Sequence, residues 1–442
     1  MSLIELGEVG HTPEAVTPPS RPPHPSRRRW ITAGALLTLL LTGMGGGAPS
    51  PRPMPEATIP AQLGAVVFAE GDRLFVIDPP ARSAESFIAA YRLPAAEPLW
   101  RVPVPVGRPG WTAQLLQHRL AGETLVVSAV SESLPNQADQ VAGLDARTGR
   151  LLWHHPGRLM DVTAQDSVLL VLAERDATRT GPTVAALAPE SGALRWSLAL
   201  PPDGEFVHDF DSAQPRSLVA VRGSGQTQVR DLESGKVVQE ARLPIEARPD
   251  GPPMQVIAGL LLEFDDGRRT LAAYGLDRLD RRWVIPLTSV DRPFTSSCGD
   301  SLCVWSHNTG VRVVDPRDGR TRWSDPLWID VEQVGRHMVA SPFRTTFGEA
   351  GMLVVLDPAT GRRIGTFDAW SRVGPPRADG RLLAIRRDSG TGRTEVALLD
   401  PATLTVRPVA MLDRISGQCD GVPGIMFCRR LDSSVGVWRL PE

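Results

Sequence analysis

A single frame recurs along most of this chain and limits the fold more than any other feature. In Leu144-Asp145-Ala146-Arg147-Thr148-Gly149-Arg150-Leu151-Leu152-Trp153, an Asp is followed by Gly four residues later and by Trp eight later. The frame returns as Val314-Asp315-Pro316-Arg317-Asp318-Gly319 with Trp323, and as Leu187-Ala188-Pro189-Glu190-Ser191-Gly192 with Trp196. Asp231 to Gly235 and Asp357 to Gly361 keep the turn and carry Gln239 and Gly365 in place of Trp. Asp400-Pro401-Ala402-Thr403-Leu404 has lost the Gly as well, Leu276-Asp277 with Trp283 is a shortened copy, and a degenerate one ends at Trp100. From Trp153 the step is 43 residues to Trp196, 43 to Gln239, 44 to Trp283, 40 to Trp323 and 42 to Gly365. A period of about 40–45 residues is that of a four-stranded propeller blade.

The chemistry of each copy agrees with the period. Val311-Arg312-Val313-Val314 and Leu353-Val354-Val355-Leu356 precede the Asp; they are apolar and β-branched, and read as strands. Asp-x-x-Thr-Gly is turn chemistry, in which Asp caps the local backbone and Gly supplies positive φ. A second hairpin lies upstream, turned at Ala121-Gly122, Asp265-Asp266-Gly267, Gly299-Asp300 and Asp379-Gly380. Four strands per unit follow. No segment after residue 50 sustains a helical period, which leaves an α-solenoid unsupported.

The frame resembles the tryptophan-docking repeat of PQQ-dependent alcohol dehydrogenases and their non-enzymatic relatives, which reads Ala-x-Asp-x-x-x-Gly-x-x-x-Trp. Asp145, Gly149 and Trp153 match it, as do Asp315, Gly319 and Trp323; Gly192 with Trp196, and Trp283, match in part. The resemblance spans roughly residues 62 to 440. It implies an all-β, eight-bladed propeller in which the Trp stacks on the neighbouring blade, with seven blades as the alternative. Trp-frame strands end near 100, 153, 196, 239, 283, 323, 365 and 407, whereas upstream strand sets number nine. The stretch Ile415 to Leu440 is therefore expected to be completed by the N-terminal part carrying Trp100, with strands near Val66 to Ile77 in surplus.

Residues 1–29 are rich in Pro, His, Ser and Arg and cannot bury enough apolar surface to fold. Arg27-Arg28-Arg29 then precedes Trp30 and the apolar run Ile31 to Met44. Positive charge ahead of an apolar run sets an N-in orientation. The expectation is a transmembrane anchor over 30–48, a Pro-rich linker over 49–61 and an extracytoplasmic propeller over 62–442, in the cell membrane. A cleavable signal with small residues at Gly46 and Ala48 is the rival, and it exports the same domain. With only residues 1–29 ahead of the anchor, no cytoplasmic signalling domain is expected.

The four cysteines fall in two local pairs, Cys298 with Cys303 and Cys419 with Cys428, each across an upstream hairpin. An even count in an exported domain reads as two disulfides. Four-thiolate zinc is the rival, but neither pair has Cys-x-x-Cys spacing.

Catalytic chemistry is not apparent. Members of the family that use PQQ carry adjacent cysteines beside the cofactor and Glu, Asn and Asp around calcium. Here no cysteines are adjacent, and Asn occurs only at 136 and 308. The resemblance thus implies no enzyme, no cofactor and no metal. His154-His155 would point to opposite faces of a strand. Asp209-Phe210-Asp211 and Asp265-Asp266-Gly267 lack the distal Glu of a calcium loop. Glu205 to His208 has no nucleophile to partner it, and Gly223-Ser224-Gly225 precedes no helix. A net charge of −2 with scattered arginines and Lys236 as the single lysine excludes a nucleic-acid face. The expected function is a membrane-tethered binding or scaffold module with an envelope protein or ligand as partner. The alternative is a PQQ-dependent alcohol or sugar dehydrogenase outside the cytoplasm.

Overall fold

The computed structural model describes residues 56–440 apart from the stretches 80–85, 107–115, 130–139, 163–168, 174–180, 209–216, 246–253, 289–292 and 343–351 and positions 307 and 389. The expected anchor, residues 30–48, and Asp209-Phe210-Asp211 lie outside the described residues. Every regular element among the described residues is a β-strand.

These strands form nine four-stranded antiparallel sheets. Blades 1 to 8 are consecutive in the chain, over residues 66–103, 116–156, 158–199, 205–242, 255–286, 294–325, 328–367 and 371–412. Their fourth strands are the eight expected Trp-frame strands. Blade 9 combines three C-terminal strands, Ile415–Val422, Ile425–Arg430 and Val435–Arg439, with the N-terminal strand Glu56–Ile59 as its outermost member.

Ring closure is visible in the core. Each of nine clusters of buried side chains straddles two neighbouring blades. One joins Phe75 and Ile88 of blade 1 to Leu125 and Leu144 of blade 2. Another joins Phe427 and Val437 of blade 9 to Leu74 and Val76 of blade 1. Nine blades with nine interfaces leave no open end. Middle strands lie between two interfaces, which is why Thr124–Ala129 and Leu353–Leu356 are buried at every position. Outer strands such as Leu194–Ala199 remain largely exposed or only partly buried.

The blade count departs from the expected eight. Ile415 to Leu440 does not borrow the strand carrying Trp100. It takes Glu56–Ile59, paired Glu56 to Trp438 and Ile59 to Val435. The surplus stretch Val66 to Ile77 and the strand with Trp100 then make a complete blade 1. Residues 56–59, assigned to the linker by their Pro-rich surroundings, therefore belong to the ring. Four residues without turn chemistry carry too little pattern to announce a strand. The turn at Asp265-Asp266-Gly267 also differs from expectation, since it joins the second and third strands of blade 5.

Candidate functional site

The recurring frame builds the contacts between blades. Asp145 Oδ1 accepts the backbone N–H groups of Arg147 and Thr148, each at 2.9 Å. The turn closes with Gly149 N–H donating to the Asp145 carbonyl at 2.8 Å, and Gly149 sits at φ +73°. The indole of Trp100, from the preceding blade, lies on that turn. Its Nε1–H donates to the Ala146 carbonyl at 3.0 Å, and a Cβ on Gly149 would come within 2.7 Å of the ring.

The arrangement repeats with fixed offsets. Trp153 donates to Pro189 O at 2.6 Å and covers Gly192; Trp196 donates to Leu232 O at 3.0 Å and covers Gly235. Trp283 donates to Pro316 O at 2.9 Å over Gly319, and Trp323 to Pro358 O at 3.0 Å over Gly361. The acceptor is always one residue past the Asp position, and Gly always four past it. Asp315 is held well below the usual carboxylate range by its hydrogen bond from Arg322, 2.8 Å away, and by the Arg317 N–H. Asp145 is also lowered, since its turn hydrogen bonds outweigh the opposing effect of burial.

Both cysteine pairs are disulfides. Cys298 to Cys303 joins the first two strands of blade 6, and Cys419 to Cys428 joins directly opposed residues in blade 9.

The innermost strands, which face the axis, are stitched by polar side chains. Glu70 Oε2 accepts from Leu120 N–H at 2.8 Å, between blades 1 and 2. The Phe68 ring stacks on His118 with centroids 3.5 Å apart. Thr295 hydrogen-bonds Gln255 between blades 6 and 5, and Arg372 pairs with Glu332 between blades 8 and 7.

Two titratable groups on the inner strand Glu205–His208 stand apart. Burial lifts the Glu205 carboxyl to about 7, against a backbone hydrogen bond from Met254. Burial pushes the His208 imidazole down to about 4, against a backbone hydrogen bond at Met160. Their partners lie on opposite sides, beside blades 5 and 3, so the pair forms no acid–base couple. His154 and His155 sit on successive strand positions facing Ala142 and Val141. Asp265 Oδ1 accepts from Arg268 N–H at 2.8 Å, as a turn residue. Gly223-Ser224-Gly225 is the turn between the second and third strands of blade 4. Among the described residues no group of three or more His, Cys, Asp or Glu side chains is placed to hold a metal ion.

Concavities occur at the seams between blades. One of about 710 Å³ separates blade 9 from blade 1, lined by Leu63, Ala65, Val66, Gln418, Asp420 and Arg429. A smaller one of about 310 Å³ lies between blades 8 and 9, walled by Val373, Pro375, Pro376, Leu383, Val422 and Pro423. Neither was anticipated, since each draws on segments far apart in the chain and none of its residues carries a motif.

A family model described as outer membrane protein assembly factor BamB matches residues 50–283 and 180–407. No curated protein shows significant similarity to the chain. Among solved structures, BamB from Moraxella catarrhalis is 13% identical, with 87% of this chain and 96% of that chain covered and a TM-score of 0.43. A computationally designed protein, Ika8, is 13% identical, covering 73% of this chain and 95% of its own at a TM-score of 0.42. A eukaryotic initiation factor is 10% identical, covering 83% and 92% at a TM-score of 0.48. With its repeat frame, its closed ring and a family match across most of its length, this chain belongs to the PQQ-like β-propeller family described by BamB.

Proposed function

We propose that this protein is a membrane-tethered scaffold of the cell envelope, with the propeller outside the cytoplasm and binding, not catalysis, as its work. The family match carries the reading, because it aligns the chain with a repeat described by an assembly factor. The frame residues also point this way: Trp153, Trp196, Trp283 and Trp323 are spent on packing between blades. Tethering rests on Arg27-Arg28-Arg29 ahead of Ile31 to Met44.

Two experiments test the two halves. Alkaline carbonate extraction should leave the full chain in the membrane pellet, and added protease should reach the propeller only from the extracytoplasmic side. Release into the supernatant, or protection from that side, would refute the tether. Crosslinking in intact envelopes should trap the propeller in discrete adducts with another envelope protein. A ladder containing only the chain itself, or dye reduction with added PQQ, calcium and an alcohol, would overturn the scaffold.

A further inference from the structure

In an Asp-Gly pair the glycine nitrogen can readily attack the carboxyl that precedes it, because glycine sets no Cβ beside the nitrogen and restrains the backbone least. The chain has such pairs at Asp203-Gly204, Asp250-Gly251, Asp266-Gly267, Asp318-Gly319, Asp379-Gly380 and Asp420-Gly421. Asp250-Gly251 lies outside the described residues. As sequence the pairs are alike; the fold makes them different.

In three of them the glycine N–H is committed to a carbonyl. Gly204 N–H donates to Pro201 O at 2.8 Å, Gly319 N–H to Asp315 O at 2.9 Å and Gly380 N–H to Arg377 O at 2.9 Å. Two of the carboxylates are engaged as well. Asp318 Oδ1 accepts from Arg320 N–H at 3.0 Å, and Asp379 accepts from the backbone and the guanidinium of Arg381.

Asp420-Gly421 is arranged otherwise. It lies in Ile415–Val422, the innermost strand of blade 9, which is paired along one edge only. Gly421 N–H donates to Asp420 Oδ1 at 2.7 Å, so the nitrogen already touches the carboxyl group that it would attack. Asp420 is exposed, and water can reach it. The pair is also fixed on both sides: the Cys419–Cys428 disulfide comes one residue before it, and Val422 pairs with Ile425 one residue after it. Holding two reacting groups in contact is what accelerates an intramolecular step.

We propose that Asp420 is a site of isoaspartate formation, reacting ahead of Asp203, Asp318 and Asp379. The Gly421 nitrogen loses its proton and bonds to Cγ of the neutral Asp420 carboxyl, and one carboxyl oxygen leaves as water, which closes a succinimide. Water then adds to the former main-chain carbonyl carbon of Asp420. The bond from that carbon to the Gly421 nitrogen breaks, and the nitrogen regains a proton. One water leaves and one enters, with no oxidant or cofactor. The main chain now runs through Cβ and Cγ and is one atom longer. The seam with blade 8 has little room for that atom, since a Cβ on Gly374 (φ +66°) would come within 2.7 Å of the Gly421 carbonyl. The change therefore loosens the contact between blades 8 and 9. This inference goes beyond the scaffold reading and does not depend on it.

The test ages the full-length protein in detergent at mildly acidic pH. Isoaspartate is labelled with an isoaspartyl carboxyl methyltransferase and labelled S-adenosylmethionine, and is mapped by electron-transfer fragmentation. Label is expected at Asp420 at least about fivefold faster than at Asp203, Asp318 or Asp379. The same chain aged in urea with its disulfides reduced should lose that preference. Gly421→Ala should slow the reaction at Asp420 about tenfold, because the added Cβ crowds the nitrogen. Asp420→Glu keeps the charge but would have to close a larger ring, and should remove the label from this peptide. Hydrogen exchange over residues 419–428 and 373–376 should rise in step with the label. An unlabelled Asp420, equal label at all these positions in the folded protein, or an undiminished preference for Asp420 in urea overturns the proposal.

Discussion

An indole at the end of an outer strand can dock only where the next blade offers a bare carbonyl and no Cβ. Two of the places where the frame lacks Trp, Gly365 and Gln239, obey the same rule in reverse. Gly365 stands at a Trp position, and the next blade carries Leu404 at the Gly position, with φ +55°. A Cβ on Gly365 would lie 2.4 Å from Leu404 Cδ1, so the leucine has taken the indole's space. Gln239 is likewise followed by Leu279, at φ +52° and buried. Gly365→Trp and Leu404→Gly should each lower the urea midpoint, the first by overpacking and the second by a cavity, about 1–3 kcal/mol apiece. The double variant should recover at least about 1 kcal/mol of the summed loss, because the incoming Trp finds the bare turn it needs. Simple addition of the two losses would sink this account. Burial of Glu205 sets a second prediction. Its carboxyl titrates near 7 in the fold against 4.5 when unfolded. A raised acid is stabilising while protonated, so stability is intact below pH 4.5 and falls as pH rises through 7. Glu205→Gln should therefore raise the unfolding temperature at pH 8, by up to about 3 kcal/mol of stability, and do little at pH 4.5. His208, lowered to about 4 from 6.5, acts in the opposite window and costs stability as pH falls from 6.5 to 4. An unfolding temperature for Glu205→Gln that tracks the parent across pH 4.5 to 8 would remove Glu205 from this account.

At the scale of the element, the hairpin across each blade is where sequence and structure agree best. Asp, Gly and Trp at fixed offsets announce the third and fourth strands, since each residue answers a steric or hydrogen-bonding demand that few others meet. The cysteine pairs were legible for the same reason, and both lie across first hairpins. What escaped were elements that meet their demands by position alone. Glu56–Ile59 has one fully buried side chain, Ile59, and a pattern too short to register. The turn preceding Val435–Arg439, with Asp432 and with Ser433 at φ +71°, joins the second and third strands of blade 9, and its third and fourth strands come from opposite ends of the chain, so no Asp…Gly…Trp hairpin joins them. Blade 9 thus lacked the hairpin by which blades are counted, and the seam pocket beside it was invisible for want of contiguous residues. The disulfides carry their own prediction. Replacing Cys419 and Cys428 by Ser should cost about 2–3 kcal/mol by the loop-closure estimate. The pair Cys298 and Cys303, in blade 6, should cost about as much stability. Urea midpoints unchanged in both double variants would show that neither disulfide stabilises its hairpin.

For the whole molecule, stability depends on how the ring is shut. Eight blades are covalently continuous, and the ninth is completed by chain from the opposite terminus, so within blade 9 Glu56–Ile59 and Val435–Arg439 are joined by hydrogen bonds and burial alone. Arg429 is the polar part of that joint. It is buried, its Nη1 donates to Gln62 O at 3.1 Å and to Ser433 O at 2.9 Å, and its Nη2 donates to Ala65 O. The segment leading from Glu56–Ile59 into blade 1 is thereby tied to the turn between the second and third strands of blade 9. Arg430 adds an ion pair to Glu56. Burial lowers the affinity of the Arg429 guanidinium for its proton, and three carbonyls in place of water keep the charge tolerable. Arg429→Met keeps the volume and strands those carbonyls; it should cost about 2–4 kcal/mol, each carbonyl losing a charge-assisted bond. Replacing Glu56–Ile59 in the full chain by a Gly-Ser stretch of equal length should do more. It removes Ile59 from the core shared by blades 9 and 1 and bares the edge of Val435–Arg439. Hydrogen exchange should then rise first in blades 9 and 1, well before blades 4 and 5, and the protein should self-associate through the bared edge. Uniform loss of protection around the ring would mean that closure is shared by all nine interfaces, and the N-terminal strand would be one contact among many.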